Sequence, residues 1–184
     1  MVVQQYKRRK FVANPQQHFY QDDYTVKVDV LHVVSYNHSY GRDVKAGLVW
    51  YNRTTRTVNA SGYLLKDLGT DMSLLTYRFL SNEYRPNGMF ITINLCREAN
   101  VDRFGVAKTI QDSVNFQLKC PVKKGFLSIT HGTVDFSKFP PHLHAGKYRA
   151  QIKVYDGPNF LAEFYIDSEI TEKIKKWELE RIFD

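Results

Sequence analysis

The chain contains few cysteines and no long apolar segment. Two cysteines, Cys96 and Cys120, in 184 residues are too few for a scaffold held together by many disulfides, and their spacing matches no zinc finger. No stretch of about 18 apolar residues occurs, so the sequence predicts no transmembrane helix. Residues 1–24 also lack the apolar stretch of a secretory signal, so we expect either a cytosolic protein or one whose signal is removed before Met1.

Aromatic side chains, in contrast, are abundant: the chain has 12 Tyr, 12 Phe and 2 Trp. This content favours β-strands and apolar pockets, and the length suits a single domain. The net charge of +7 includes a basic run at 7–10, which would attract nucleic acid or anionic lipid but is also typical of a solvated chain end. No RNA- or DNA-binding signature accompanies this run, so we expect no nucleic-acid partner.

Alternation of apolar and polar residues predicts a series of short, half-buried strands. The clearest segments are 24–30, 126–136, 146–155 and 159–167. The pattern also predicts a hairpin from 44–51 and 55–65, strands at 72–80 and 89–96, and a turn at Arg85-Pro86-Asn87-Gly88. About eight strands at short spacing predict a mainly β fold, an antiparallel two-sheet sandwich.

A change of period near residue 100 predicts one inserted helix. Apolar residues recur every three or four positions there, which indicates a helix over 101–113 with Asn100 as its N-cap. Lys/Glu pairs at helical spacing predict a second, C-terminal helix over 169–184. The chain therefore divides into a basic N-terminal arm, 1–23, a sandwich domain, 24–168, and this terminal helix.

Three motifs and a hairpin follow one another in the second half of the chain. They are Ile93-Asn94-Leu95-Cys96-Arg97, then Asn115-Phe116-Gln117-Leu118-Lys119-Cys120-Pro121 with Gly125, then Phe139-Pro140-Pro141 with Gly146-Lys147-Tyr148, and Tyr155-Asp156-Gly157 before a final strand. Their order and spacing resemble the ML lipid-recognition superfamily, and more closely its insect branch of secreted proteins that includes the chemosensory B proteins. The chain departs from the pattern at Asn94, where that branch more often has Asp, and in lacking cysteine in the final hairpin.

The resemblance implies an immunoglobulin-like sandwich that encloses a lipid or other small apolar ligand between its sheets. It also implies an extracellular, non-enzymatic protein without a cofactor, in a branch with chemosensory members, and Lys123 and Lys124 are candidate contacts for an anionic head group. A filled core that binds a receptor or partner protein through its surface is the alternative, because core and cavity need similar residue types. Alternation places these candidates on the cavity wall: Val28, Val30, Ile91, Ile93, Tyr148, Ile152, Phe164 and Ile166.

The two cysteines and three glycosylation sequons bear on the compartment. In an oxidising compartment a Cys96–Cys120 disulfide would stabilise the fold by about 3 kcal/mol, whereas two buried thiols are the alternative. Asn-x-Ser/Thr sequons stand at Asn37, Asn52 and Asn59. Their clustering favours secretion with N-glycosylation at these asparagines.

Other chemistry has little support in the sequence. His142 and His144 would share a face on a strand and could hold a metal with His131 or Asp135, but two prolines break this segment and a surface loop is the simpler interpretation. Neither Asp135 nor Glu163 has a partner at a spacing suited to acid–base catalysis, and no nucleophile signature surrounds either cysteine. We therefore expect no metal site and no enzymatic activity.

Overall fold

The structure, a computed structural model, describes residues 20–69, 71–102, 104–117 and 119–173. Within these ranges two short helices, α1 Leu95–Val101 and α2 Val106–Gln111, and a 3-10 turn, Phe136–Lys138, connect eight strands. The strands are β1 Tyr24–Tyr36, β2 Gly41–Trp50, β3 Arg56–Leu64, β4 Asp71–Leu80, β5 Glu83–Asn94, β6 Gly125–Gly132, β7 Gly146–Asp156 and β8 Asn159–Glu172. The prediction of a mainly β fold is confirmed.

The strands form two antiparallel sheets. In the large sheet the order is β1-β8-β7-β4-β5, and in the small sheet it is β2-β3-β6. The predicted hairpin of β2 and β3 is present, and β4 with β5 and β7 with β8 are also hairpins. The chain passes from the large to the small sheet between β1 and β2, through residues 37–40. The predicted two-sheet antiparallel sandwich is thus confirmed.

Register defines which side chains face the space between the sheets. Ile152 is paired with Phe164 and Val154 with Ala162 across β7 and β8, so these four residues lie on one face of the large sheet. Three of them border the space between the sheets, which identifies this as the inner face. The most deeply buried apolar side chains of the described residues are Tyr24, Leu68, Ile93, Leu161 and Ile170.

Two bulges in β1 change the face to which its side chains belong. Val28 is paired with Ser168, but Val30 is paired with Asp167, so Asp29 is an extra residue in the strand. Such an insertion reverses the side-chain alternation beyond it. Val30 therefore shares the outer face of the large sheet with Asp167 and is 46% exposed. The prediction that Val30 lines the interior is wrong for this reason.

The turn between β4 and β5 lies earlier than the sequence predicts. Ser81 and Asn82 both have positive φ, 51° and 65°, which is the backbone of a two-residue hairpin turn. The predicted turn Arg85-Pro86-Asn87-Gly88 instead belongs to β5. Proline is tolerated there because β5 is an edge strand of the large sheet, where an N–H can be absent without breaking a ladder.

The inserted helix is two short helices rather than one. The Asn94 side chain caps α1 by accepting a hydrogen bond from the backbone N–H of Arg97, whereas Asn100 donates its side-chain N–H to the carbonyl of Cys96. Asp102 and Gly105 both have positive φ and separate α1 from α2. The prediction of a continuous helix over 101–113 capped by Asn100 is therefore wrong.

Both predicted ends of the domain lie partly outside the described residues. At the C-terminal end, β8 continues to Glu172 and Thr171 is paired with Thr25 of β1, so the predicted helix does not begin at Glu169. The rest of that helix, residues 174–184, is outside the described residues, as is the basic run 7–10. Among the described residues no helix is long and apolar enough to cross a membrane.

Candidate ligand-binding site

A cavity of about 280 Å³ lies between the two sheets and is partly open to solvent. The small sheet forms one wall, and the ends of β7 and β8 that meet in their hairpin form the other. From the large sheet the wall side chains are Val154, Leu161, Ala162 and Phe164. The arrangement is an apolar space that both sheets enclose.

Small residues on the inner face of the small sheet leave room for this cavity. Ala46 is paired with Ala60, which is paired in turn with Ile129, so two adjacent strands carry only a methyl group at this level. At Gly62 a Cβ atom would lie 3.3 Å from the Cα atom of Val44, which is a close approach of backbone to backbone. These small residues leave space unfilled between the small sheet and the large sheet opposite it.

Tyrosines and the β1–β2 turn close one end of the cavity. Tyr36 and Tyr40 both border it, and they flank the turn that begins at Asn37. The Asn37 side-chain Nδ2 donates a hydrogen bond to the carbonyl of Phe160 over 3.1 Å. The turn is thereby joined to the β7–β8 hairpin, which carries the opposite wall.

One of the eight predicted wall residues borders this cavity, namely Phe164. Ile91, Tyr148, Ile152 and Ile166 are partly buried and belong to the inner face by register, and Ile152 is the direct partner of Phe164, but none of the four borders the cavity. The same holds for the half-buried Val28 and the buried Ile93. Alternation indicates the face of a strand but not which residues of that face border the cavity.

The predicted head-group lysines lie away from the cavity wall. Lys123 Nζ donates to Asp67 Oδ2 over 2.8 Å, and the backbone N–H of Lys124 donates to Asp67 Oδ1 over 2.9 Å. These hydrogen bonds hold the pKa of Asp67 below its ordinary value. Together with the antiparallel bridge between Leu68 and Val122, they fasten two loops to each other.

Sequence reasoning did not consider two lysines that lie close to the residues lining the cavity. Lys45 of β2 is the one charged residue among the described residues that line it, but its pairing with Ser61, next to the inner pair Ala46 and Ala60, places its exposed side chain on the outer face of the small sheet. Lys66 is near it, since its Nζ lies 4.5 Å from the ring centroid of the wall residue Tyr40. The sequence places Lys45 in the first strand of the predicted hairpin and Lys66 just after the second. Exposed lysines at such positions are too common to be singled out.

The predicted disulfide is present. Cys96 in α1 and Cys120 before β6 are bonded, with Cα atoms 5.5 Å apart and a sequence separation of 24. The bond closes the loop that contains both short helices. The alternative of two free thiols is excluded for this structure.

The three sequon asparagines differ in what their side chains do. Asn52 is exposed at the tip of the β2–β3 hairpin, where its Oδ1 accepts hydrogen bonds from Thr54 and from the backbone N–H of Thr55. Asn37 is half-buried and uses its side-chain nitrogen to reach Phe160. Asn59 lies in β3, the central strand of the small sheet, and accepts from the N–H of His131. Asn52 is the most accessible of the three.

The histidines and acidic residues that we considered as metal ligands do not form one cluster. His131 Nδ1 lies 3.1 Å from the Thr57 hydroxyl, and His142 Nδ1 lies 3.2 Å from Asp23. Asp135 caps the 3-10 turn through Ser137, whose hydrogen bonds lower the pKa of Asp135. The described residues contain no group of three or more His, Cys, Asp or Glu side chains placed to hold a metal ion.

The outer face of the large sheet carries an ordered ion pair. Arg149 donates from Nε and Nη2 to the two carboxylate oxygens of Asp167, each over 2.7 Å, and these hydrogen bonds raise the pKa of Arg149. Its guanidinium carbon also lies 4.2 Å from the Tyr84 ring centroid and 5.1 Å from that of Tyr165. The pair belongs to β7 and β8 and strengthens the hairpin from the side opposite the cavity.

Fold and cavity together define the class: a two-sheet antiparallel β-sandwich protein with an apolar cavity between its sheets. Residues 71–150, less than half of the chain, match the family model described as "Protein of unknown function (DUF1091)". This segment runs from β4 into β7 and includes the disulfide, whereas β2, β3 and β8, which form much of the cavity wall, lie outside it. No curated protein matches the chain.

Proposed function

We propose that this chain is a secreted, non-enzymatic binding protein that encloses a lipid or other small apolar ligand between its two sheets. The observation that carries the proposal is the cavity of about 280 Å³ with walls from both sheets. Its lining is made of alkyl groups, aromatic rings and small residues. Such a wall takes up apolar molecules because burial of their surface releases water, at roughly 25 cal/mol per Å².

The size of the cavity limits the ligand. Ligand pockets for small molecules span roughly 300–1,000 Å³, and this cavity, at about 280 Å³, is slightly smaller than that range. It therefore suits one short alkyl chain or a small hydrocarbon rather than a lipid with several chains. The resemblance to the ML superfamily and its chemosensory branch supports a ligand of this kind.

Secretion is the second part of the proposal. The Cys96–Cys120 disulfide supports it, because such bonds persist in oxidising compartments. We propose that Asn52 carries an N-glycan, since it is exposed at a hairpin tip. Peptide mapping after expression in a eukaryotic secretory host should find a glycan on Asn52 that is lost in Asn52→Gln. An unmodified Asn52 in secreted protein would contradict this part of the proposal.

A cavity-filling variant tests ligand enclosure. In Ala60→Leu the larger side chain occupies the space beside the small sheet, so uptake of a fluorescent fatty-chain probe should fall strongly. Ala145→Leu adds the same side chain at an exposed loop position and should bind as the unaltered protein does. Thermal unfolding of both variants controls for overpacking, which typically costs about 1–3 kcal/mol. If the unaltered protein neither carries nor takes up fatty acid or hydrocarbon by native mass spectrometry, the proposal is wrong.

A second candidate is a protein-interaction module that binds a receptor or partner through its surface. Exposed aromatic residues on the small sheet favour it: Phe126 is 49% and Tyr63 41% exposed, and their rings pack against each other. Aromatic residues are enriched in protein interfaces. Phe126→Ala would weaken such a partner without affecting probe uptake, because Phe126 does not line the cavity, whereas Ala60→Leu would leave the partner bound.

A further inference from the structure

Cross-strand pairing defines which side chains of the small sheet point away from the large sheet. Ala46, Ala60 and Ile129 are successive partners on the inner face, so the residues next to them in each strand point outward. Two neighbouring rows of partners lie on this outward face, each crossing all three strands: Arg42, Tyr63 and Phe126, and then Lys45, Ser61 and Ser128.

Two exposed aromatic rings lie in the first of these rows. Phe126 is 49% and Tyr63 41% exposed, and their ring centroids are 5.1 Å apart. The guanidinium carbon of Arg42 lies 5.0 Å from the centroid of the Tyr63 ring. The two rings therefore form a small apolar area with a cation beside it, and an apolar medium outside the protein would remove that area from water.

The cations of the outward face have few carboxylates around them. In β2, β3 and β6 the one acidic residue is Asp43, whose carboxylate lies 3.4 Å from Arg42 Nε in a pair that is exposed on both sides. Lys45 is exposed and stands opposite a serine, Ser61. This face consequently attracts anions from outside the chain.

The outward face of the large sheet has a different charge pattern. There each basic residue of β7 stands opposite an acidic residue of β8: Lys147 opposite Glu169, Arg149 opposite Asp167, and Lys153 opposite Glu163. Positive charge on that face is neutralised within the sheet. The two outward faces of the sandwich therefore differ, and the small sheet carries the one whose cations are left for a partner.

An anionic lipid bilayer is complementary to both properties of the small sheet. Its head groups attract basic side chains close to its surface, and aromatic rings favour the boundary between head groups and acyl chains. A bilayer also presents a plane, which a sheet face can meet without a groove. An acidic protein would attract the same cations, but lysine is depleted in protein interfaces.

We propose that the small sheet docks on an anionic bilayer through its outward face, with Arg42 and Lys45 at the head groups and Tyr63 and Phe126 at the interface. This activity goes beyond the enclosure of a ligand, because the docking face and the cavity lie on opposite sides of the same sheet.

The test measures partition of the protein between buffer and sedimented vesicles. One set of vesicles contains equal parts of phosphatidylcholine and phosphatidylserine, and the other contains phosphatidylcholine alone. The unaltered protein should bind the anionic vesicles preferentially, and the preference should shrink as salt rises. Arg42→Ala with Lys45→Ala should lower this partition about twentyfold, because each basic residue near such a surface contributes about fivefold. Arg42→Lys with Lys45→Arg should retain it, and Phe126→Ala should weaken it.

Lys147→Ala with Lys153→Ala is the matched control. It removes the same charge from the outward face of the large sheet, so it should bind anionic vesicles nearly as the unaltered protein does. Thermal unfolding checks that each variant is folded. Equal partition of the unaltered protein onto both kinds of vesicle, or equal losses in the two alanine pairs, would overturn the proposal. Absence of vesicle binding would also overturn it and leave this face to a partner protein.

Two further readouts separate docking from other properties of the chain. Asn59 precedes Ser61 by two residues in β3 and shares its face, so a glycan there would stand between sheet and bilayer. Peptide mapping of the secreted protein should find Asn59 unmodified, and a glycan on it would contradict docking. Arg42→Ala with Lys45→Ala should take up the fatty-chain probe normally. Vesicle binding by a protein that takes up no probe would support docking and refute the proposed function alone.

Discussion

The side-chain Nδ2 of Asn37 donates a hydrogen bond to the backbone carbonyl oxygen of Phe160 over 3.1 Å. The backbone N–H of Asn37 donates in parallel to the carbonyl of Leu161 over 2.7 Å. Tyr36 precedes this asparagine, and Tyr36 and Leu161 border the cavity. A single residue therefore joins the turn that connects the sheets to the hairpin that forms the opposite wall.

Removal of the Asn37 side chain should loosen this end of the cavity. In Asn37→Ala the carbonyl of Phe160 loses its partner, so the free energy of unfolding should fall by about 1 kcal/mol. Probe affinity should fall as well, because the two walls are no longer joined by the side chain. Urea unfolding and probe titration measure the two effects.

Ser39→Ala provides the control for Asn37→Ala. It abolishes the sequon at Asn37 but keeps the Asn37 side chain and the backbone N–H of residue 39, which donates to Asn37 Oδ1. Stability and probe binding should therefore be unchanged. Equal losses in both variants would mean that a glycan, rather than the hydrogen bond, accounts for the effect.

Loss of the disulfide should destabilise the whole domain. Cys96→Ala with Cys120→Ala opens a loop with a sequence separation of 24, and loop-closure entropy predicts a decrease in unfolding free energy of about 3 kcal/mol. Reduction of the unaltered protein should produce a similar decrease, measured by urea unfolding with and without a thiol. The variant itself should not respond to the thiol, and a response would point to another target of reduction.

The Arg149–Asp167 pair should contribute more to stability than the ion pair at the surface. Asp167→Asn removes a carboxylate that is 17% exposed and accepts two hydrogen bonds from Arg149. The guanidinium remains between tyrosine rings without its counter-ion. We expect the free energy of unfolding to fall by about 1–2 kcal/mol.

The Lys123–Asp67 pair is the comparison for Asp167→Asn. Its side chains are 73% and 42% exposed, and solvent screening leaves exposed pairs weak. Lys123→Ala should therefore change the unfolding free energy by less than Asp167→Asn does. The opposite order would show that the aromatic surroundings of Arg149 do not strengthen its ion pair.

Tyr24 should make the fold sensitive to alkaline pH. It is 1% exposed and donates its hydroxyl hydrogen to the Pro140 carbonyl over 2.8 Å. Burial, with a smaller contribution from Asp23, raises the pKa of Tyr24 from 10.0 to about 12. Since the unfolded chain loses this proton at lower pH than the folded chain, the contribution to stability is complete below pH 10 and is lost as pH rises towards 12.

Tyr24→Phe isolates this titration from that of the other tyrosines. The unaltered protein should lose about 2 kcal/mol more stability than the variant between pH 10 and 12. The variant should be less stable at neutral pH by about 1 kcal/mol, because the bond to Pro140 is absent. Parallel pH profiles of the two proteins would show that Tyr24 ionises equally in both states.

The sequence was most informative where periodicity is strong. In β7 and β8, inner residues such as Ile152 and Phe164 alternate with polar ones, and both strands begin where the pattern predicts, although β8 continues to Glu172. The turn between β4 and β5 was misplaced because Arg85-Pro86-Asn87-Gly88 has the composition of a turn, while the edge position of β5 tolerates it. The sequence predicts one long helix where the structure has α1 and α2. The break between them depends on left-handed backbone at Asp102, a conformation that composition does not reveal.

The sequence by itself determined the fold class, because the alternation of apolar and polar residues can be read from each segment alone. With only two cysteines it also named Cys96 and Cys120 as the candidate pair, but it left open whether they bond. Only the tertiary structure decided where the sheets separate. The bulge at Asp29 turned Val30 outward, and the small residues Ala46 and Ala60 opposite Val154 and Ala162 opened the cavity. These outcomes depend on register between strands distant in the sequence, and a shift of one residue exchanges the faces of a strand.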